Sequence, residues 1–174
     1  MQNLTEKTIS SELKYQGHIV NIRVDDVLLS DGKEHVREVI EHPGGVVVVA
    51  ILPDNKIVFV RQWRHPIGQD LIELPAGKLN RGEDPFLAAQ RELQEETGYI
   101  ANSWEPLGFV YSTPGFCDEK LYLYKACDLT LAEANPDYGE IINALIIDID
   151  QAWGMIKEGK ITDAKTIVGL SLIR

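Results

Sequence analysis

Apolar and polar positions alternate from Val20 through Ile22 and Val24, with Asn21, Arg23 and Asp25 between them, the period of a half-buried strand. Asp31-Gly32 supplies a tight hairpin turn, and a less regular return segment, His35 to Glu41, stops at Pro43-Gly44-Gly45. Residues 1–42 thus predict a strand pair forming a small antiparallel sheet, with too little apolar surface to enclose a core. Val46 to Leu52 is instead an unbroken, largely β-branched run, which predicts a central strand buried on both faces. Pro53-Asp54-Asn55-Lys56 turns the chain into a second strand, Ile57 to Trp63, with Arg61, Gln62 and Arg64 toward its end. Trp63 is expected in the core, the commoner place for a strand aromatic, although between two arginines it could also stack a base. Leu107 to Ser112 and Leu121 to Ala126 predict strands on either side of an exposed, turn-rich loop, Thr113 to Glu119. Leu131 to Glu140 is polar and predicts a mobile loop. Ile141 to Ile149 predicts one more strand, Asp150 the cap of a short helix ending before Gly159, and Asp163 the start of a last, broadly apolar helix.

Between these strands lies the chain's strongest helical signal. Asp84 suits an N-cap, Pro85 the first helical position and Gly98 a left-handed terminator, so a helix is expected from Pro85 to Thr97. Phe86, Ala89 and Leu93 share one face, while Glu92, Glu95 and Glu96 cluster on another. Carboxylates within one turn repel each other, and the helix C-terminus disfavours anions further. A solvated acidic face is one explanation; a bound hard cation, which takes oxygen ligands and reverses the local field, is the other.

Strands on both sides of a helix, with more helix at the end, point to an α/β fold, an α/β/α sandwich around a mixed sheet. The length of 174 residues suits a single domain with an appendage. With 27 acidic against 17 basic residues the net charge is −10, which opposes binding to nucleic acid or anionic membrane. An anionic small substrate stays compatible with that charge, since local arginines and bound cations can make a pocket positive. The N-terminal residues lack a signal-peptide pattern and no run approaches a membrane span, so a cytoplasmic protein is expected. Cys117 and Cys127 have no metal-like spacing and read as reduced thiols; His18, His35, His42 and His65 read as structural or surface residues.

The stretch Gly77-Lys-Leu-Asn-Arg-Gly-Glu83, followed by Arg91-Glu92-Leu93-Gln-Glu95-Glu96-Thr-Gly98-Tyr99, resembles the Nudix box of the Nudix hydrolases with every fixed position filled. That resemblance implies a Nudix-like sandwich over residues 43–174. It makes Glu92 and Glu96 metal ligands, with help from Glu95 and the Ala76 carbonyl, and has Gly77, Glu83 and Arg91 shape the loop and helix. Mg²⁺ is the implied cofactor, with Mn²⁺ as a substitute. Pro114, within Ser112-Thr-Pro-Gly-Phe116 and fifteen residues past Tyr99, resembles the ADP-ribose pyrophosphatase branch. So do Arg37-Glu38, Val60-Arg-Gln-Trp-Arg64, Glu73-Leu-Pro-Ala-Gly77 and Asp163-Ala-Lys-Thr166. This likeness implies hydrolysis of ADP-ribose to AMP and ribose 5-phosphate. Arg37, Arg64, Glu73, Pro114, Gly115 and Phe116 would meet the substrate, Glu95 would assist catalysis, and Glu140, preferred over Asp137, would act as base. It also implies a homodimer that exchanges residues 1–42. The rival readings are another sugar-nucleotide pyrophosphatase, for instance one acting on GDP-mannose, and a catalytically silent Nudix-like ligand sensor.

Overall fold

The N-terminal stretch forms three antiparallel strands where the sequence suggests a pair: β1 (Lys7–Gln16), β2 (Asn21–Leu28) and β3 (Glu34–Glu41), in that order across a small sheet. β1 escapes a hydrophobicity pattern for two reasons. It is exposed along its whole length, so no apolar face is required of it, and two register shifts against β2 break its alternation. Polar ladders hold it instead: Ser10 donates to Asp26 and Ser11 to Asp25, each at 2.6 Å. Gly32 closes the β2–β3 turn in the left-handed region (φ 83°), as the Asp31-Gly32 pair predicts.

The computed structural model describes residues 3–134 and 141–174 and comprises two compact units. The first is this sheet, as far as Gly44, together with Tyr111–Lys120. The Ile40 N–H donates to the Phe116 carbonyl (2.7 Å) and the Asp118 N–H to that of Ile40 (3.1 Å), so the loop lies along the end of β3.

The second unit is built on a mixed sheet. Its strands β4 (Gly45–Leu52), β5 (Lys56–Arg64), β8 (Tyr99–Tyr111), β9 (Lys120–Leu131) and β10 (Ile142–Asp148) run in the order β10-β5-β4-β9-β8, with β4 and β9 parallel. The central apolar run is β4, buried on both faces as its composition requires. β4 and β5 pair only beside their shared turn, at Ala50–Leu52 and Lys56–Val58, and beyond it the next segment takes their place as partner. There β6 (Gln69–Glu73) pairs with the far end of β5, and β7 (Ala76–Lys78) with the start of β4. Leu74-Pro75 joins them, the Pro75 carbonyl accepting from the Val48 N–H at 2.9 Å.

Helix α1 (Pro85–Thr97) begins and ends where the sequence places it, with Asp84 accepting from the Phe86 and Leu87 N–H groups and Gly98 at φ 73°. Its Ala88, Ala89 and Leu93 pack with Val46, Val48, Ala50 and Val58. The alternate residues Val47, Val49, Ile57 and Phe59 pack with Ala152 of α2 (Ile149–Lys157) and Leu170 of α3 (Ala164–Leu172) on the other face. The period of a strand thus feeds two cores and produces the sandwich. The α2 cap and the place of Trp63 also differ from the sequence reading. The α2 cap is Asp148, which accepts from the N–H groups of Asp150 and Gln151, because the helix begins two residues earlier than expected. Trp63 is 60% exposed rather than in the core, since β5 by that point has run past β4 and its pairing with Asp70 of β6 leaves the ring uncovered.

Candidate active site

The site is built where β7 meets α1. Glu92 and Glu96, one helical turn apart, both reach the short strand. Glu96 is buried, and its Oε2 accepts the Ala76 N–H at 2.9 Å. Glu92 comes up against Gly77: a β-carbon there would lie 2.0 Å from the Glu92 carboxyl carbon and from Oε1. Gly77 is needed for that space, not for an unusual backbone angle.

Arg91 organises the acids around the helix. Its Nε donates to Glu83 Oε1 (2.9 Å), and its Nη1 donates at 2.8 Å both to Glu92 Oε1 and to Glu95 Oε2. The carboxylates raise the guanidinium's pKa against the opposing effect of burial, Glu83 most strongly, and Arg91 in turn holds the Glu83 carboxyl below its usual range. Glu83 Oε2 also accepts the Asn80 N–H (2.8 Å), so one residue couples the loop before α1 to the acidic face. Part of the carboxylate repulsion expected from sequence is thus offset within the chain.

A second network lies behind β7. Glu73 is 0% exposed and is gripped by two cations. Arg64 forms a fork, Nε to Oε1 and Nη2 to Oε2 at 2.7 Å each, and Lys165 donates to Oε2. Burial pushes the Glu73 carboxyl up, but Arg64 and Lys165 outweigh it and hold the group below its ordinary value. Arg64 is raised chiefly by its bond to Glu73, with the fields of Glu96 and Asp163 adding to it. The sequence offers no signal for Lys165 beyond its place in Asp163-Ala-Lys-Thr166.

The remaining candidates fall elsewhere. Arg37 belongs to the first unit and pairs with Glu6, Nη2 to Oε1 at 2.7 Å. Pro114, Gly115 and Phe116 sit exposed on the loop of that same unit. Glu140 and Asp137 lie outside the described residues. Among the described residues no three Asp, Glu, His or Cys side chains form a ready cage for a metal. The pieces at β7 nonetheless fit a hard cation: the donors are oxygens, and the space left by the missing Gly77 side chain is filled by a carboxylate.

Comparison with known proteins identifies the family and the fold. A family model described as the NUDIX domain matches residues 41–168, and one described as the nucleoside diphosphate sugar hydrolase N-terminal domain matches residues 6–40. The chain is 43% identical to the methanol dehydrogenase activator of Bacillus methanolicus, over 97% of this chain and 92% of that protein. It is 36% identical to the ADP-ribose pyrophosphatase of Bacillus subtilis (strain 168), over 100% and 95%. In fold it is similar to a crystal structure of an ADP compounds hydrolase, with a TM-score of 0.88, 21% identity and coverage of 100% and 95%.

Proposed function

The chain belongs to the Nudix family, and on that premise we propose that it hydrolyses the pyrophosphate bond of ADP-ribose, releasing AMP and ribose 5-phosphate. The observation that carries this reading is the approach of Glu92 and Glu96 to the backbone of β7 at Gly77 and Ala76. Glu92, Glu96 and the Ala76 carbonyl would hold Mg²⁺, or Mn²⁺ in its place, with Glu95 beside them. The chemistry such a cation supplies is neutralisation of pyrophosphate charge and activation of water at neutral pH. Arg64, fixed by Glu73, offers its remaining donors to a phosphate; Arg37 and the Pro114-Gly115-Phe116 loop serve the rest of the substrate. Glu140, ahead of Asp137, is the proposed base. A homodimer exchanging residues 1–42 completes the proposal, supported by exposed Ile9, Leu13 and Tyr15 on β1 and Val36 on β3. A cytoplasmic location goes with it, supported by the free thiols of Cys117 and Cys127.

The test is product analysis on ADP-ribose, GDP-mannose and other sugar nucleotides, with Mg²⁺ and with chelator. AMP and ribose 5-phosphate from ADP-ribose, abolished by chelator, are expected. Preferential cleavage of GDP-mannose would move the assignment to that substrate, and tight binding without cleavage would make the protein a sensor. The 43% identity to the Bacillus methanolicus protein favours a second reading, action on a dehydrogenase partner. Adding wild type and Glu96→Gln in parallel to a methanol dehydrogenase assay tests it, and no stimulation by wild type removes it.

A further inference from the structure

The first turn of α3 is fastened to the segment that leads into the site. Asp163 caps the helix, its Oδ2 accepting from Thr166 N (3.0 Å) and Oγ1 (2.6 Å). Thr166 Oγ1 in turn accepts the N–H of Leu74 at 2.8 Å. One residue earlier, Lys165 is only 16% exposed at its side chain and bridges Asp163 Oδ1 (3.0 Å) and the buried Glu73. Farther along, Gly169 lets the helix sit tightly on the same segment, since a β-carbon there would meet Leu74 Cδ1 at 2.6 Å. The turn therefore fixes residue 74 by its backbone and residue 73 by its carboxylate.

Glu73 spends both oxygens on the side of Arg64 that carries Nε and Nη2; among the described residues Nη1 makes no hydrogen bond. A carboxylate paired with Arg64 alone would fix the guanidinium but cancel its charge. Lys165 bonds both Glu73 and Asp163, so with Arg64 it balances these two carboxylates; without Lys165 the acids around the fixed guanidinium would outweigh its charge toward an anionic ligand. We propose that Lys165 is a positioning residue which, through Glu73, orients Arg64 and offsets the carboxylates beside it for a substrate phosphate. The inference rests on the reading above that Arg64 contacts substrate phosphate.

The test pairs equilibrium binding of ADP-ribose in EDTA, by calorimetry, with steady-state kinetics in Mg²⁺. Lys165→Met is expected to weaken binding and raise KM by about tenfold, the equivalent of a lost charge-assisted contact of about 1.4 kcal/mol, with kcat changed by less than about threefold. Lys165→Arg should restore binding to within about threefold of wild type, because it returns the charge. In an Arg64→Met background, adding Lys165→Met should cost nothing further in binding, since the residue it acts through is gone. A loss confined to kcat, or losses that add fully in the double variant, overturns the positioning role. Wild-type binding by Arg64→Met sinks the phosphate-contact reading itself, and this inference with it. Should Lys165→Met fail to fold, Lys165→Gln, which keeps a donor for Glu73 and removes the charge, is held to the same comparisons.

Discussion

Single atoms decide much of this site. At Gly77 the β-carbon of an alanine would strike the free end of Glu92, not backbone, so the clash is relieved by moving the carboxylate. Gly77→Ala should therefore cost less than about 1 kcal/mol, roughly 2–4 °C in melting temperature for a chain of this size. It should lower kcat/KM on the order of a hundredfold, the effect of displacing a reacting group by about 1 Å. Calorimetry and kinetics on one preparation separate the two effects. Glu73 gives a different readout. Its folded pKa lies below the ordinary 4.5, so between the two values the unfolded chain binds more protons. Its stabilisation is complete above about pH 4.5 and is lost as pH falls through the lower folded value. Urea midpoints should show wild type well above Glu73→Gln at pH 7, the gap narrowing below pH 4.5; a constant gap would contradict the assignment. Both residues stand out in the sequence as members of a motif. That Gly77 makes room for Glu92, and that Glu73 is buried between two cations, depends on contacts over sequence separations that no local pattern encodes.

Among the elements, α1 is the most legible, because every signal it uses is local. Cap, proline, apolar face and terminating glycine lie within one short stretch, and the helix forms between the expected limits. Asp84→Ala removes the acceptor for two N–H groups and should lower stability by about 1 kcal/mol, with kcat unchanged, since no site contact is touched. Leu93→Ala opens the core between α1 and the sheet and should cost about 2–5 kcal/mol in urea unfolding. An equal loss from both would mean that the cap holds the helix as strongly as its packing does, against this expectation. The elements least legible from sequence are β1 and the first part of β8, which starts at Tyr99 directly after the helix, well ahead of Leu107. Both are largely exposed strands, and pairing partners decide them rather than an apolar face.

At the scale of the whole molecule, the proposed dimer makes a distinct prediction. Sedimentation or light scattering at micromolar concentration should give twice the 19.5 kDa chain mass. If residues 1–42 complete the partner's site, Arg37→Ala and Glu96→Gln chains, each nearly inactive alone, should regain up to about a quarter of wild-type activity after mixing, the statistical share of restored sites. A monomer refutes the dimer; a dimer without recovery refutes only the exchange.

The sequence by itself determined the helix from Pro85 to Thr97, the buried central strand, the layered α/β class and the acidic cluster proposed to hold the metal. These follow from periodicity, caps and a motif whose spacing is local. Tertiary structure alone decided that β4 and β5 part company so that Glu73 to Gly77 can enter between them, and that Trp63 faces solvent. It also decided that Lys165 reaches Glu73 across 92 positions of chain. Those outcomes depend on which strands pair and where pairing stops. A buried charge also finds its partner by proximity in space, which the order of residues does not state.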